Sequence, residues 1–236
     1  MSRNALNILL VAPLLLFSSL ASAERIAVIG TGDVAGALGP EFATLGHTIV
    51  YGSRHPARDS VRALVERTGH DASATTSREA VVGADMVVLA VPGGLAAEIA
   101  ADLGDLSGKI IIDPTNHIIQ DADGMPSMGA DPSNAELIQA AAPGAHVVKA
   151  FNTLNWRTMV DPESSGGPVS IPLVGNDADA KAAVAKLVEG MGLEPIDLGP
   201  LRYARHVEGM LIVWINARRN GQGFDYYLRR QRPGGN

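Results

Sequence analysis

The sequence predicts an α/β protein built on a doubly wound parallel sheet, with a small C-terminal α/β subdomain. From Arg25 onward, short runs of aliphatic and β-branched residues alternate with longer stretches of helical spacing, the pattern of parallel strands joined by helices. The first apolar run leads directly into a glycine-rich turn, the place at which such sheets bind ligands. A content of 46% hydrophobic residues, with 26 glycines and 14 prolines in 236 residues, is that of a folded α/β chain.

The individual elements follow from the same pattern. Apolar runs bounded by turn residues predict buried strands at 26–29, 48–51, 86–90, 110–112 and 146–149, and a weaker strand at 72–76. Helical spacing predicts helices at 34–45, 61–68, 96–103 and 135–142. The stretch 113–132 is rich in Gly, Pro, Asp and Asn and follows a strand end, so we expect an active-site loop there.

The chain divides into three predicted parts: a signal peptide at 1–23, a main α/β domain at 24–162 and a C-terminal subdomain at 163–236. In the subdomain the pattern predicts strands at 169–174 and 194–198 and helices at 179–191 and 201–219. We expect this subdomain to pack on the sheet.

The amino terminus has the form of a secretory signal peptide. Arg3 precedes an uncharged, leucine-rich stretch that ends in Ala21-Ser22-Ala23, a small-x-small cleavage site. The 13-residue apolar run from Ile8 to Leu20 would extend about 20 Å as a helix, against the roughly 30 Å of a bilayer core, so no stable membrane span is expected. The protein is therefore predicted to be periplasmic or secreted, or cytoplasmic if translation starts further downstream.

Charge and composition exclude several classes of function. The formal net charge is −6 and the basic residues are scattered, so no nucleic-acid partner is expected. The absence of cysteine excludes thiolate zinc sites, iron–sulfur clusters and cysteine nucleophiles. No catalytic acid–base residue and no metal site is predicted.

The turn after the first strand carries the spacing of a dinucleotide-binding fingerprint. Gly30 suits the tight turn, Gly32 allows close approach of a pyrophosphate, and the helix that follows offers free N–H groups to phosphate. These features are typical of the Rossmann-type fold, and the predicted contacts are Gly30, Thr31, Gly32, Asp33 and Val34. The alternative is a glycine-rich turn that binds no ligand.

The end of the second strand indicates which dinucleotide is bound. Sites that prefer NAD place an acid about 20 residues downstream, on the ribose 2′-hydroxyl. Here the corresponding place holds Ser53 and Arg54, followed by His55, which suit a 2′-phosphate. We therefore predict NADP(H), the alternative being that Arg54 is an ordinary solvated arginine. Val91, Pro92 and Gly93 follow the fourth strand and either line the riboses or form a simple strand-to-helix turn.

Six sequence blocks follow one another in order: Gly30-Thr31-Gly32-Asp33 with Gly36, Gly52-Ser53-Arg54, Asp113-Pro114-Thr115-Asn116, Val148-Lys149-Ala150-Phe151-Asn152-Thr153, Val174-Gly175-Asn176-Asp177, and 199–208. In these blocks the stretch from Arg25 to Arg230 resembles the NADPH-dependent coenzyme F-420 (deazaflavin) reductases and their bacterial relatives. The sequence departs from the family at Ala35, in place of a third glycine, and at Gly93-Gly94, where relatives often carry larger residues.

The resemblance implies direct hydride transfer between the nicotinamide of NADPH and a flavin-like ring, either coenzyme F-420 or FMN/FAD, without a protein nucleophile. It places the second ring beside Ala150 and Asn152, with Thr115, Asn116 and His117 as further candidates for the same wall. For Asn152 the alternative is a loop asparagine bonded to its own backbone.

Two other functions remain open from the sequence. The soluble domains of six-transmembrane metalloreductases look similar, which implies a flavin-mediated reductase of ferric or other metal ions. A non-catalytic NADP-binding or sensor protein is the alternative from another class. In relatives, the segment 200–208 helps to bridge protomers, so a homodimer is left open; alternatively, Arg205 and Glu208 simply pair on one helix.

Overall fold

The computed structural model of the chain describes residues 23–129, 131–167, 169–223 and 227–231. The predicted signal peptide, apart from Ala23, lies outside the described residues. In chain order the elements are β1 (Arg25–Ile29), α1 (Asp33–Thr44), β2 (Thr48–Gly52), α2 (Asp59–Thr68), β3 (Ser73–Thr75), α3 (Ser77–Ala80), β4 (Met86–Leu89), α4 (Ala96–Asp102), β5 (Ile110–Asp113), β6 (Ile118–Gln120), β7 (Pro126–Met128), α5 (Asn134–Ala141), β8 (His146–Lys149), α6 (Trp156–Val160), β9 (Ser170–Gly175), α7 (Ala178–Gly190), β10 (Glu194–Asp197) and α8 (Ala204–Arg219).

Within the described residues, eight strands form one sheet in the order β10-β9-β8-β5-β4-β1-β2-β3. Six neighbouring strands of this sheet, β3, β2, β1, β4, β5 and β8, run parallel. Their side chains are largely buried because helices cover both faces of the sheet. The chain moves outward from β1 to β2 and β3 and then returns to the other side of β1 with β4. The topological switch point therefore lies between β1 and β4, where doubly wound sheets have their ligand crevice.

Two apolar clusters fill the two faces of the sheet. One cluster contains Ile26, Val28 and Phe42 and lies under α1 and α7. The other contains Ala27 and Val87 and lies under α4 and α5. Adjacent β1 residues belong to different clusters because successive strand side chains point to opposite faces. The sequence shows this as a continuous apolar run, as expected for a strand buried on both sides.

The α/β fold class is confirmed, and the major strands and helices lie within a few residues of their predicted positions. The short elements α3, α6 and the antiparallel β6–β7 hairpin were not predicted. They are defined by local caps and tertiary contacts: Thr76 and Glu79, for example, form a capping box at the start of the four-residue α3. Periodicity has too few residues in such elements to give a signal.

The C-terminal segment continues the main sheet. β9 pairs antiparallel with β8, and β10 runs parallel to β9. The sequence led us to expect this segment packed on the sheet, whereas its strands extend the sheet edge; the boundary between 24–162 and 163–236 stays a prediction. A short 3-10 turn, Leu201–Tyr203, leads into α8. None of the helices in the described ranges is long and apolar enough to cross a membrane.

Candidate active site at the carboxyl edge of the sheet

The turn between β1 and α1 is wedged between two neighbouring strand ends. Gly30 has a φ of +106°, and a Cβ at this position would lie 2.1 Å from the carbonyl oxygen of Ala90, which follows β4. On the other side, the Gly30 N–H donates to the carbonyl oxygen of Gly52 at 2.9 Å. Only glycine fits both the space and the left-handed backbone conformation.

The start of α1 leaves room for an anion. Gly32 is the N-cap of the helix, makes no side-chain cap, and a Cβ there would meet no atom within 4 Å. The first N–H groups of the twelve-residue helix therefore have no side-chain cap, and the positive end of the helix dipole lies at the glycine turn. This arrangement fits the pyrophosphate of a dinucleotide, which needs backbone donors and close approach.

A cavity of about 440 Å³, which we call the glycine-turn cavity, opens over the ends of β1, β2 and β4. Seven of the predicted contacts line it: Gly30, Thr31, Gly32, Ser53, Arg54, Val91 and Pro92. The cavity wall also contains residues that were not predicted from the sequence, among them Arg58, Ser77, Leu95, Glu98 and Ile99. Strand-end residues from three strands thus share one crevice at the switch point.

Cationic groups gather at the β2 end of the glycine-turn cavity. The Ser53 hydroxyl, on a nearly buried residue, accepts the backbone N–H of His55 at 3.1 Å. The Arg54 side chain is exposed at the rim, and the Arg58 guanidinium lies 3.5 Å from the Thr31 hydroxyl. The segment from Ser53 to Arg58 contains no acid, so the site suits a phosphate dianion. Arg58 was missed, although its spacing of four from Arg54 could have suggested it.

A second cavity of about 570 Å³, the helix-α8 cavity, includes Val34 of α1 in its wall and so adjoins the same β1–α1 turn. Three predicted contacts line it: Val34, Asn116 and Asn152. Most of its wall was not predicted from the sequence: it includes Thr153 in the loop after β8, and Trp156, Arg157, Leu211, Trp214, Arg218 and Tyr227. The last six residues come from α6, α8 and the C-terminal tail, whose approach to the strand ends depends on tertiary structure.

Asn116 and Asn152 hold each other in this cavity. The Asn152 side-chain amide donates to Asn116 Oδ1 at 3.0 Å and to the Val207 carbonyl at 3.1 Å, and the Asn116 amide donates to the Asn152 carbonyl at 2.9 Å. Asn152 is therefore bonded across the site and not to its own backbone. Its buried Oδ1 accepts no hydrogen bond from a described residue, which leaves an acceptor for an N–H of a bound ring.

Phe151, next to Asn152, adopts a φ of +64°, which is unusual for a residue with a large side chain. The ring is fully buried and packs against Phe42, with 6.2 Å between ring centroids. This packing holds the backbone turn that directs Asn152 toward α8. Strained backbone of this kind is concentrated at functional sites.

A fully buried ion cluster lies beneath the asparagine pair. Lys149 Nζ lies 2.7 Å from Asp113 Oδ2 and 2.9 Å from Glu208 Oε1, and it donates to the Thr115 carbonyl at 2.6 Å. All three charged side chains have no exposed surface. Asp113 Oδ1 also accepts the Thr115 N–H and hydroxyl. The cluster therefore joins the ends of β5 and β8 to α8.

The cluster contains one more carboxylate than ammonium, and the start of α5 compensates for it. Glu208 accepts the backbone N–H groups of Asn134 at 3.0 Å and Ala135 at 3.2 Å, both in the first turn of this helix. The positive end of the helix thereby stabilises the second negative charge. The expectation that Glu208 pairs with Arg205 is wrong, because α8 turns Glu208 inward and leaves Arg205 exposed, 2.9 Å from Asp131.

Three predicted contacts line neither cavity: Asp33, Gly93 and Ala150. Asp33 is the exposed first residue of α1, and Ala150 is completely buried in the core. Gly93 packs against the next loop, since a Cβ there would lie 2.2 Å from the carbonyl oxygen of Asn116. A larger residue at position 93 would displace Asn116. The position of Asn116 therefore depends on a glycine at this turn.

The two other candidates for the wall of the second ring behave differently. Thr115 is buried in the ion cluster, and its hydroxyl accepts the Asn134 side-chain amide at 2.6 Å. The His117 ring packs beside Gly94 and Gly129. Neither residue lines the helix-α8 cavity, so neither belongs to the wall predicted for the second ring. Within the described ranges no group of three His, Asp or Glu residues could hold a metal ion.

Comparison with known proteins gives a consistent family. The family model described as NADP oxidoreductase, coenzyme F420-dependent, matches residues 25–117. The F420-dependent NADP reductase of Methanothermobacter thermautotrophicus is 31% identical over 207 residues, which cover 81% of this chain and 88% of that protein. The chain belongs to this family. Membership confirms the family predicted from the sequence.

Two further proteins are similar to this chain. A candidate F420-dependent NADP reductase from Arthrobacter sp. FB24 shares 34% identity and a TM-score of 0.79, over 88% of this chain and 100% of that one. Metalloreductase STEAP3 of Rattus norvegicus is 30% identical over 189 residues, 80% of this chain. The chain spans 36% of the length of that metalloreductase, about a third.

We predict that Lys149→Met lowers the free energy of unfolding by roughly 3–5 kcal/mol, because it leaves two buried carboxylates without a cation. Urea titration followed by circular dichroism measures the change. Lys181→Met is the matched control: Lys181 also pairs at 2.7 Å, but with Asp197, whose side chain is 58% exposed. That control should cost at most about 1 kcal/mol. Similar losses in both variants would contradict the structural role of the buried cluster.

We predict that Arg54→Ala weakens NADPH binding by roughly 1–3 kcal/mol, or about 5- to 150-fold, and leaves NADH binding nearly unchanged. The reason is that only NADPH carries the 2′-phosphate. Titration calorimetry with both nucleotides measures the two dissociation constants, and Arg58→Ala should show the same selectivity. Arg78→Ala, which removes an exposed arginine outside both cavities, is the control. Equal losses for the two nucleotides would refute the assignment.

Proposed function

We propose that this chain transfers hydride from NADPH in the glycine-turn cavity to a flavin-like acceptor in the helix-α8 cavity. The observation that carries the proposal is that both cavities adjoin one turn, with Gly30–Gly32 in the wall of the first and Val34 in the wall of the second. A dinucleotide whose pyrophosphate lies at the start of α1 would extend from one cavity into the other.

The residues of the chain supply binding and orientation. Ser53, Arg54 and Arg58 hold the 2′-phosphate, and the N–H groups of α1 hold the pyrophosphate. When bound, reduced nicotinamide supplies a hydride and the acceptor takes it up together with one proton, which gives NADP⁺ and the reduced acceptor. Rigid positioning of the two rings replaces acid–base catalysis as the main contribution of the protein.

The asparagine pair would orient the reacting rings. Both amides are fixed by the bonds described above, and the free Oδ1 of Asn152 is available to accept an N–H from a carboxamide or from the pyrimidine part of a flavin-like ring. Trp156, Trp214 and Tyr227 present aromatic surface to the same cavity, suited to a planar acceptor. The proposed acceptors are coenzyme F-420, FMN and FAD.

Stopped-flow absorbance at the NADPH band tests this function with each of the three acceptors. We expect oxidation of NADPH by at least one of them. Asn152→Leu should lower kcat, because it removes a contact that orients the reacting rings, and it should leave the preference for NADPH over NADH unchanged, because Asn152 lies outside the glycine-turn cavity. Arg54→Ala should raise the KM for NADPH and leave kcat nearly unchanged. Tight NADPH binding with no turnover on any acceptor would remove the proposal and favour a non-catalytic NADP-binding or sensor protein.

Reduction of metal ions through bound flavin is the second candidate function. It is favoured by the similarity to metalloreductase STEAP3 over 80% of this chain. The reduced flavin would give its two electrons singly to two ferric ions. A ferrous chelator assay separates the candidates: iron reduction that requires both NADPH and added flavin supports the second, and flavin reduction that is unaffected by iron supports the first alone.

We also propose that residues 1–23 direct export and are removed. The support is the arginine, apolar run and Ala21-Ser22-Ala23 site of the sequence. Cleavage after Ala23 would place β1 within two residues of the new amino terminus. Amino-terminal sequencing of the protein from its native source should begin at Glu24, and a retained Met1 would contradict the proposal.

A further inference from the structure

The charge of the helix-α8 cavity stands out against the rest of the chain. The protein carries a formal net charge of −6, yet the described residues that line this cavity include Arg157 and Arg218 and no carboxylate. Within the described residues neither guanidinium takes part in an ion pair. Two uncompensated cations at one cavity favour an anionic ligand.

Each of these arginines is held by a tryptophan. The Arg157 guanidinium lies 4.6 Å from the ring centroid of Trp156, and that of Arg218 lies 4.9 Å from the ring centroid of Trp214. The first pair belongs to α6 and the second to α8. Stacking of this kind restrains the guanidinium while its N–H edge stays free for a planar anion such as phosphate or carboxylate.

The dinucleotide does not account for these two cations. Its 2′-phosphate has Arg54 and Arg58 in the glycine-turn cavity, and its pyrophosphate has the start of α1. Arg157 and Arg218 lie instead in the cavity assigned to the acceptor, beside the aromatic wall. A volume of about 570 Å³ can hold a tricyclic ring together with part of its side chain.

We propose that Arg157 and Arg218 bind an anionic group on the side chain of the acceptor, and thereby select phosphorylated flavin-like compounds over the same ring without phosphate. The proposal rests on the function proposed above. It assigns the two arginines to acceptor specificity and leaves hydride transfer to the ring contacts. Since both guanidiniums are exposed, the selectivity should fall as ionic strength rises.

FMN and riboflavin test the proposal because they share one ring and differ by one phosphate. Steady-state oxidation of NADPH should give a kcat/KM about 10- to 100-fold higher for FMN, the effect of a charge-assisted contact. In the double variant Arg157→Gln/Arg218→Gln the ratio should fall toward one, because the rate with FMN falls toward that with riboflavin. Arg202→Gln is the matched control, because Arg202 also stacks on an aromatic ring, Tyr203, but lies outside both cavities.

A parallel pair of acceptors covers a preference for deazaflavins: coenzyme F-420 and its core without the phosphate-containing chain. In either pair, equal use of the charged and uncharged acceptor by the unaltered protein would overturn the proposal while the proposed function stands. A rise in the KM for NADPH in the double variant, with the acceptor ratio unchanged, would also overturn it. Absence of turnover with all four acceptors would sink the proposed function and this inference with it.

Discussion

One buried ammonium group, that of Lys149, holds together the strand ends and the helix around the candidate site. Lys149 is the point at which the ends of β5 and β8, the β5–β6 loop and helix α8 meet, through Asp113, Thr115 and Glu208. Burying these charges costs free energy, which the close geometry and the N–H groups of α5 offset. The arrangement leaves little freedom for the residues next to it. Asn116 directly follows Thr115 in the chain. Val207 directly precedes Glu208, and its carbonyl accepts a hydrogen bond from the Asn152 side-chain amide.

Much of the fold could be predicted because its signals are local. Strands buried on both faces read as continuous apolar runs, and the glycine turn at Gly30 follows the first of them directly. The direction of β9 could not be predicted, because an apolar run has the same pattern whether it pairs parallel or antiparallel with its neighbour. The elements α3 and α6 are shorter than two helical turns, so no periodicity develops in them.

The candidate site divides in the same way. The glycine-turn cavity is built from strand ends and the turns after them, which sequence spacing locates well. The helix-α8 cavity depends on how α6 and α8 approach the sheet, and no spacing reports that distance. Lys149 was not predicted as a site residue, because a sequence pattern cannot show that its partner is Glu208. The alternative in which Arg205 pairs with Glu208 is wrong for a related reason: residues three apart share a helix face only roughly, and here Glu208 faces the buried cluster whereas Arg205 is exposed.

The separation of the two cavities has a consequence for how the protein could change. In the proposed function, the residues that select one dinucleotide over another lie on the β2–α2 connection, whereas the walls of the helix-α8 cavity come mainly from α6, α8 and the chain near Tyr227. Substitutions in one set need not disturb the other. On this proposal, a lineage with this architecture could exchange its electron acceptor while keeping its electron donor, and a designer could redirect either preference without rebuilding the other.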